Sequence, residues 1–419
     1  MLIDKTRGPA PADRFSRLGI ATMNVYLDNN ATTPLAPEVL DAMLPYLKGT
    51  YGNASSVHTV GREAKKALEE SRETIALILG ASRKECICFT GSGCEADNMA
   101  IKGIAWALRR KGNHIVTSAV EHHALLNACK FLEEEGCEVT YIKPDGTGLV
   151  HAEAVADALR EDTILISIMH ANNETGTINP VADIGKIARE RNILFHTDAV
   201  QSFCKLPITV DELGVDLLSL SAHKIHGPKG VGDLYLREGI PIKPLIHGGH
   251  HEESRRAGTE NVAGIVGLAT AAQLSWAGIK DETGRMKSLS NKLEKGLREK
   301  ISHTRLNGHP VKRLPNTLNL SFGYVEAESL VLSLDLKGIA VSSGSACTSG
   351  SREPSHVLRA MGIPYDICRG SLRFSLGKES TEEEIDYVIS ILPGIVEKLR
   401  AMSPLFQANR TGPEYNVRV

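Results

Sequence analysis

The chain has 419 residues, of which 42% are hydrophobic and 23% charged, and this composition excludes a disordered or fibrous protein. Its length exceeds what one hydrophobic core usually supports, so we expect two domains, or one large domain with a smaller companion. The 48 Lys and Arg residues nearly balance the 50 Asp and Glu residues. The formal net charge of -2 therefore gives no support to binding of nucleic acid or of an anionic membrane.

The apolar segments and the cysteines favour a cytoplasmic protein without a membrane span. Residues 261–279 carry no charge but contain three glycines and several polar side chains, which favours a buried helix. The 8 cysteines are too sparse for a disulfide framework, and the absence of a CxxC pair argues against a zinc ribbon or a thioredoxin site. With no secretory signal peptide visible, we expect a reducing cytoplasm.

The predicted elements fall into three stretches along the chain. Residues 1–22 are polar and without a sustained period, so we expect a disordered N-terminal extension. From there to about residue 276, short runs that are apolar on both faces alternate with helical patterns such as 61–79 and 180–191. This alternation predicts a mainly parallel sheet flanked by helices. After residue 276, a charged helix, an apolar strand and a final helix opened by Thr-Glu-Glu-Glu predict a smaller α+β domain.

A lysine and an aspartate follow two of the apolar runs. Lys224 lies in SAHKIHGPKG after the run 216–220, and Asp198 closes the segment 193–198. The carboxyl ends of strands face the crevice where open α/β sheets bind ligands. Pyridoxal 5′-phosphate (PLP) needs this pair, a lysine to hold its aldehyde as a Schiff base and a carboxylate to keep its ring nitrogen protonated. Taken alone, a lysine beside glycines is more often a solvated surface residue.

A glycine-rich turn offers a place for the PLP phosphate. The segment FTGSGCEADN (89–98) predicts a strand, a turn and a helix start, where backbone N–H groups and the helix dipole attract an anion. This signal is weak by itself because such turns are common and often only structural. The segment matches neither a Walker A loop nor the GxGxxG pattern.

Cys347 has surroundings unlike those of the other cysteines. Ser and Gly residues flank it on both sides in the segment 341–351. A cysteine is usually a small buried hydrophobic residue, but a thiol in a hydrated, pliable loop is more exposed and more reactive. The pattern therefore predicts a nucleophilic thiol at this position.

Taken together, these segments resemble the NifS-like branch of the cysteine desulfurases, which are PLP-dependent fold-type I enzymes of the class-V aminotransferase superfamily. The resemblance extends from about residue 24 to residue 406, and it is specific because the segments occur in the family's order. The matching segments are YLDNNATT (26–33), EHHAL (121–125), HANNETG (170–176), HTDAVQ (196–201), SAHKIHGPKG (221–230), RRAGTEN (255–261), SSGSACTSG (342–350) and SLRFSLG (371–377).

The resemblance also implies a division of the chain. It predicts an α/β fold in which residues 36–276 form a large PLP-binding domain with a mainly parallel seven-stranded sheet flanked by helices. Residues 23–35 and 277–419 would form the smaller α+β domain. That domain would contain the catalytic cysteine loop, at about residues 342–352.

The resemblance implies a role for each residue that would bind PLP. Lys224 would form the Schiff base, and His122 would stack on the ring and assist proton transfer. Asp198 would pair with the ring nitrogen, and Gln201 would hydrogen-bond the ring hydroxyl. The remaining PLP contacts implied by the resemblance are Asn173, Ser221, His223, the backbone at Gly93 and Cys94, and Thr259 from the other subunit of a homodimer.

The resemblance further implies how substrate is bound and where this chain departs from the family. Asn173 and Arg373 would hold the substrate carboxylate, a task for which the guanidinium fork is well shaped. No metal ligand is implied. Cys94 stands where the family usually has Thr, which exchanges a hydroxyl for a weaker thiol donor and puts the affinity for PLP in doubt.

The implied activity is conversion of L-cysteine to L-alanine, with the sulfur transferred as a persulfide on Cys347 to an iron–sulfur cluster scaffold protein. Two alternatives remain at this point. One is another PLP enzyme of the same fold, an aminotransferase or a selenocysteine lyase. The other is a metal- or cluster-carrying interaction protein that uses some of the 8 Cys and 15 His residues, although these lack paired ligand spacing.

Overall fold

A computed structural model describes residues 23–343, 354–403 and 406 of the chain. The predicted N-terminal extension, residues 1–22, lies outside the described residues. The strands are β1 (Val25–Tyr26), β2 (Ile87–Thr90), β3 (His114–Ser118), β4 (Glu138–Ile142), β5 (Thr163–Ser167), β6 (Leu194–Asp198), β7 (Leu217–Ser221), β8 (Gly232–Leu236), β9 (Thr304–Asn307), β10 (Thr317–Phe322), β11 (Ile339–Ala340), β12 (Ser342–Ser343) and β13 (Ser371–Ser375).

The helices connect and cover these strands. They are α1 (Pro37–Lys48), α2 (Thr59–Leu79), α3 (Gly93–Leu108), α4 (His123–Glu134), α5 (Ala152–Asp157), α6 (Val181–Glu190), α7 (Val210–Leu213), α8 (Val262–Ala277), α9 (Ile279–Lys300), α10 (Ala327–Asp335), α11 (His356–Ala360), α12 (Tyr365–Cys368) and α13 (Glu382–Ala401). Within the described ranges, no single helix is long and apolar enough to cross a membrane. Only the pair α8 and α9, bent by 73° at their junction, is together long and apolar enough.

A seven-stranded sheet forms the centre of the fold, in the order β2-β8-β7-β6-β5-β3-β4. All of these strands run in the same direction except β8, which pairs antiparallel with β7 on one side and with the edge strand β2 on the other. Most of these strands are buried along their whole length, as expected for a sheet covered on both faces. The predicted α/β fold with a mainly parallel sheet is confirmed.

Alternate residues of the strands pack into two hydrophobic clusters on opposite faces of this sheet. Val116 of β3 joins a cluster that includes α2, α6 and α8, whereas its neighbour Ile115 joins a cluster with α3 and α4. This alternation follows from the two-residue period of a strand. The sheet therefore has helices on both faces, and its carboxyl edge is left for the polar residues that follow the strands.

A third hydrophobic cluster lies apart from these two. It is built from β1, β10, β11 and β13 with α9, α10 and α13. Here β12, β13, β10 and β9 form a four-stranded antiparallel sheet, while β1 pairs with β11 in parallel. The exact division into a large domain 36–276 and a small domain 23–35 plus 277–419 stays a prediction.

Candidate active site

Two neighbouring parallel strands bring Lys224 and Asp198 to the same edge of the central sheet. Asp198 is the last residue of β6, and it pairs with Ser219 of β7. A single 3₁₀ turn, Ala222–Lys224, follows the end of β7. The positive charge of Lys224 is close enough to act on the pKa of Asp198. The two residues thus meet at the carboxyl edge, where open α/β sheets bind ligands.

The segment that follows β1 packs against this edge of the sheet. The Nζ of Lys224 donates to the backbone carbonyls of Asn30 at 2.6 Å and of Ala31 at 2.8 Å. Gln201 donates from Nε2 to the same Asn30 carbonyl at 3.0 Å. Three of the residues in this network, Lys224, Gln201 and Asn30, come from segments far apart in the chain. Their convergence makes one polar cleft of what the sequence presents as separate motifs.

Asp198 is a buried carboxylate that is suited to a cationic partner. Its residue is 5% exposed, and burial raises its pKa to about 6, while the Val200 N–H bond and Lys224 act in the opposite direction. Asp97 is also buried, and both burial and the nearby Asp198 raise its pKa. Two close buried carboxyls rarely ionise together, so the negative charge belongs to Asp198, which Lys224 stabilises.

His122 presents a neutral imidazole to the cleft. It caps the N-terminus of α4, and its Nδ1 accepts the Ala124 N–H at 3.2 Å. Burial, together with the positive charge of the nearby Lys224, lowers the pKa of His122 to about 4. Because Nδ1 accepts a hydrogen bond, the proton of the neutral ring lies on Nε2. A cavity of about 560 Å³ opens beside this ring and is also lined by Cys94.

The N-terminus of α3 forms the predicted anion cradle. Helix α3 begins at Gly93, after Ser92, whose side chain accepts the Glu95 N–H. A Cβ at Gly93 would lie 2.9 Å from Val200 Cγ2 and 3.3 Å from Ser221 Cβ. Only glycine therefore fits this approach of the helix to β7. This close approach places the N-terminal, positive end of the 16-residue helix α3 next to the buried Ser221.

Arg373 lies on the opposite wall of the cleft and is positioned by two acceptors. Its Nη2 donates to Asp28 Oδ1 at 2.7 Å, and its Nη1 donates to the Asn173 carbonyl at 3.1 Å. The residue is 3% exposed, yet its Nε has no hydrogen-bond partner among the described residues. A buried guanidinium N–H without a partner fits an anionic ligand such as a carboxylate. The Asn173 bond uses only its main chain, so its side-chain amide is not consumed there.

Of the remaining predicted site residues, His223 lies next to Lys224 in the same 3₁₀ turn, Thr259 lies outside the hydrogen-bond network above, and Cys347 falls outside the described residues. His223 is half-buried, and its Nδ1 contacts Thr32 Oγ1 at 3.2 Å. Thr259 is exposed and makes no hydrogen bond to the other predicted site residues in the described parts of this single chain. Cys347 and most of its predicted loop, 342–352, lie outside the described residues, which include only Ser342 and Ser343 of that loop.

The loop that presents Thr259 is fixed to the sheet by a buried ion pair. Arg72 donates from both terminal nitrogens to the carboxylate of Glu252, at 2.7 Å each. Glu252 also accepts the Phe89 N–H of β2 at 2.9 Å. A second ion pair, between Arg256 and Glu95, ties the same loop to the first turn of α3 at 2.8 Å. These contacts fix the loop that precedes the exposed Thr259 against β2 and the first turn of α3.

Several residues of this cleft were not identified from the sequence. Asp28 and Asn30, and the buried acids Glu121 and Glu174, lie inside the matching segments, but nothing in the sequence shows what they contact. Lys205 lies outside those segments. Burial lowers its pKa to about 7, with Lys224 and Arg373 acting in the same direction. Its Nζ donates to Gln201 Oε1 at 3.1 Å, so a second buried amine lies behind Gln201.

The buried Glu121 predicts a specific pH dependence of stability. Burial raises its pKa to about 8, while its bonds from Ser118 and the Met169 N–H act in the opposite direction. Between about pH 4.5 and pH 8 this carboxyl is ionised only in the unfolded chain, so its contribution to stability falls as the pH rises. The advantage of a Glu121→Gln protein over the natural protein should therefore grow by up to about 1.4 kcal/mol per pH unit.

Denaturant unfolding of the full chain at several pH values measures this difference. The exposed Glu153 provides the control, because water solvates its carboxylate in both states and Glu153→Gln should change stability equally across the window. A Glu121→Gln advantage that is constant or shrinks with rising pH would contradict the assignment of a neutral buried acid.

The comparisons with known proteins agree with this geometry. The family model "Aminotransferase class-V" matches residues 25–388 of the chain. The chain belongs to this family. It is also 54% identical over 383 residues to cysteine desulfurase IscS of Dictyoglomus turgidum, an alignment that covers 91% of this chain and 97% of that protein. The resemblance to the NifS-like branch of this family is therefore confirmed.

Two solved structures support the same placement of this class-V family member. A NifS-like protein aligns with a TM-score of 0.85 and 40% identity, covering 90% of this chain and all of that one (100%). SspA in complex with cysteine aligns with a TM-score of 0.75 and 39% identity, covering 84% of this chain and 98% of that one. Enzymes of this family depend on PLP.

Proposed function

We propose that the chain is a PLP-dependent cysteine desulfurase. It would convert L-cysteine to L-alanine and transfer the sulfur, as a persulfide on Cys347, to an acceptor for iron–sulfur cluster assembly. The observation that carries this proposal is the meeting of Lys224, Asp198 and Arg373 around one cleft, in a chain 54% identical to a protein named cysteine desulfurase.

The donors and acceptors of the cleft fit PLP. Lys224 offers the amine for its aldehyde, and the buried Asp198 offers the negative charge for its ring nitrogen. The N-terminus of α3 at Gly93 and the neighbouring Ser221 offer an anion cradle of the kind a phosphate needs. The other predicted contacts with PLP are His122, Gln201, Asn173, Cys94, His223 and, from a second subunit, Thr259. When bound, PLP supplies a ring that accepts electrons from the α-carbon of the substrate.

The chain's own residues bind and orient the substrate. Arg373, held by Asp28, has an unpartnered Nε–H for the carboxylate of L-cysteine. The side-chain amide of Asn173, whose main-chain carbonyl accepts from Arg373 Nη1, would hold the same carboxylate. The amine of Lys224 would remove the α-proton, and His122 would assist with the proton on its Nε2. A related structure, SspA, is described in complex with cysteine, which supports this choice of substrate.

The sulfur step would use Cys347 as the nucleophile. Its thiolate would attack the sulfur of the substrate, forming an S–S bond while the substrate's C–S bond breaks and its electron pair stays with carbon. A proton then adds to the β-carbon and the α-proton returns to the α-carbon, which completes alanine, and the substrate sulfur remains on Cys347 as a persulfide. Ser342 of β12 pairs with Arg373 of β13, and Cys347 follows Ser343 by four residues, a reach of at most about 14 Å. A tether of this length would allow the thiol to reach the proposed substrate site.

The remaining partners are part of the same proposal. The acceptor would be an iron–sulfur cluster scaffold protein, and the active unit would be a homodimer in which Thr259 completes the partner's phosphate site. A cytoplasmic location would suit a persulfide that must remain exchangeable with thiols.

Product analysis tests the proposal. The purified full-length protein, supplied with PLP and L-cysteine, should release alanine and transferable sulfur in equal amounts. An aminotransferase would instead release a keto acid and require an amino-group acceptor. A selenocysteine lyase would turn over L-selenocysteine but not L-cysteine. Either of these product patterns would overturn the assignment.

A further inference from the structure

The chain that leaves the segment 344–353 is fastened at two successive residues. Ser355 caps helix α11, where its Oγ accepts the Leu358 N–H at 3.2 Å. The same hydroxyl donates to the carboxylate of Glu174, 181 positions earlier in the sequence, at 2.5 Å. A helix cap needs only the acceptor function of the serine. The donor function therefore serves a second, long-range contact.

The next residue, His356, makes an independent contact to the other side of the cleft. Its Nε2 donates to the Glu121 carbonyl at 3.0 Å, and its ring lies against His123 with a centroid separation of 4.4 Å. Ser355 and His356 therefore tie α11 to two segments. One contains Asn173 and Glu174, and the other contains His122. Both segments line the proposed active site.

Burial of the contact between Ser355 and the Glu174 carboxyl costs desolvation free energy, which capping of α11 alone would not require. Ser355 is 3% exposed and Glu174 is 6% exposed, and a carboxyl group placed there loses most of its hydration. Glu174 directly follows Asn173, whose carbonyl accepts from Arg373. A displacement of α11 relative to Glu174 would therefore be a displacement relative to the proposed substrate-binding residues.

We propose that Ser355 and Glu174 form a positioning pair, which fixes the exit of the Cys347 segment against the substrate-binding wall of the cleft. The proposal rests on the desulfurase function proposed above. The start of the Cys347 segment is fixed by β12, where Ser342 pairs with Arg373. Because the residues on both sides of the Cys347 segment are anchored to the same wall of the cleft, the thiol would sample fewer positions before it reaches the substrate sulfur. Loss of about 1 Å in such alignment can slow a reaction by about 10²-fold.

The test separates sulfur transfer from substrate binding in the holoenzyme. Ser355→Ala should slow single-turnover persulfide formation on Cys347 by about 10- to 100-fold. The change in PLP absorbance on adding L-cysteine should keep its concentration dependence within about twofold, because Arg373 and Asn173 are unchanged. Ser333→Ala, which removes a hydroxyl bonded only within helix α10, is the matched control and should change neither quantity.

Variants at Glu174 examine the same contact from its other side. Glu174→Met removes the acceptor and should slow persulfide formation as much as Ser355→Ala, with no further loss in the double variant. Glu174→Gln keeps an acceptor oxygen of the same reach and should restore most of the rate. These variants keep the proposal testable if Ser355→Ala folds poorly. Equal slowing of substrate binding and sulfur transfer would indicate a purely structural contact and overturn the proposal.

Hydrogen exchange gives a readout that does not depend on turnover. Ser355→Ala should speed amide exchange at Leu358 and leave helix α8 unchanged, because the bond to Ser355 is lost only in α11. If the natural protein forms no persulfide, the proposed function is wrong. If it does, and Ser355→Ala forms the persulfide equally fast, the positioning pair is wrong.

Discussion

Replacing Cys347 with alanine should abolish persulfide formation while the protein still binds PLP and L-cysteine. The reason is that the proposed binding residues, Lys224, Asp198 and Arg373, lie in the described cleft and are unchanged by this substitution. Only the acceptor of the substrate sulfur is removed. We expect the rate of alanine release to fall by about 10⁴-fold or more, as is typical when an enzyme loses its nucleophile.

The matched control for this variant is Cys137→Ala. Cys137 is a half-buried thiol just before β4, at the edge of the sheet far from β7 in the strand order. Its loss should leave alanine release unchanged. Steady-state alanine production and titration of PLP absorbance with L-cysteine measure the two properties separately. If Cys347→Ala released alanine and sulfide at the natural rate, another group would have to accept the sulfur.

Replacing Lys224 with alanine should remove the visible absorbance of covalently bound PLP and reduce turnover by about 10³-fold or more. The lysine is proposed both to hold the aldehyde and to move the α-proton, so no neighbouring side chain replaces it. Phosphate, ring-nitrogen and substrate-carboxylate contacts come from other residues, and some non-covalent binding of PLP should remain. Absorbance spectra before and after borohydride reduction measure the covalent bond.

Lys205 gives the control for this second prediction. Its amine is also close to the cleft, but its Nζ donates to the side-chain oxygen Oε1 of Gln201. Lys205→Met should therefore retain the covalent absorbance, even if the affinity for PLP changes through Gln201. If the covalent absorbance survived in Lys224→Ala and disappeared in Lys205→Met, Lys205 would be the lysine that binds the aldehyde, and the assignment to Lys224 would be wrong.

The class of fold was predictable because the strands are apolar on both faces. Runs such as 164–168 and 216–220 have no alternation, and together with the helical patterns between them they indicate a covered parallel sheet. The strand direction at the edge was not predictable from the same pattern. β8 follows β7 after a short turn and runs antiparallel to it, and β2 then pairs with β8. A buried antiparallel strand such as β8 has the same composition as a buried parallel strand.

The candidate site was predictable where a residue type has few other uses. Lysine and aspartate directly after buried strands indicate a ligand site because strand ends converge at one edge. Contacts between distant segments left no local pattern. Asp28 positions Arg373 across 345 residues of sequence, and the backbone of Asn30 receives Lys224 from 194 residues away. Only the fold brings these residues together.

The buried acids were missed for a related physical reason. Asp97 lies in a segment that predicts a helix start, where an acidic residue is ordinarily solvated or complements the helix dipole. Glu121 lies in the matching segment EHHAL (121–125), where nothing in the sequence indicates burial. In the structure both are buried near Asp198, and burial raises the pKa of each carboxyl. These shifts follow from the three-dimensional environment, which residue type and spacing do not encode.

Mass spectrometry of the Cys347 peptide after incubation with L-cysteine tests the central claim most directly. The holoenzyme should be mixed with L-cysteine, blocked with an alkylating reagent and digested without reductant. We predict one additional sulfur atom on the peptide containing Cys347, lost on treatment with a thiol and absent when L-alanine replaces L-cysteine. An unmodified Cys347 peptide from a preparation that is releasing alanine and sulfide would contradict the account.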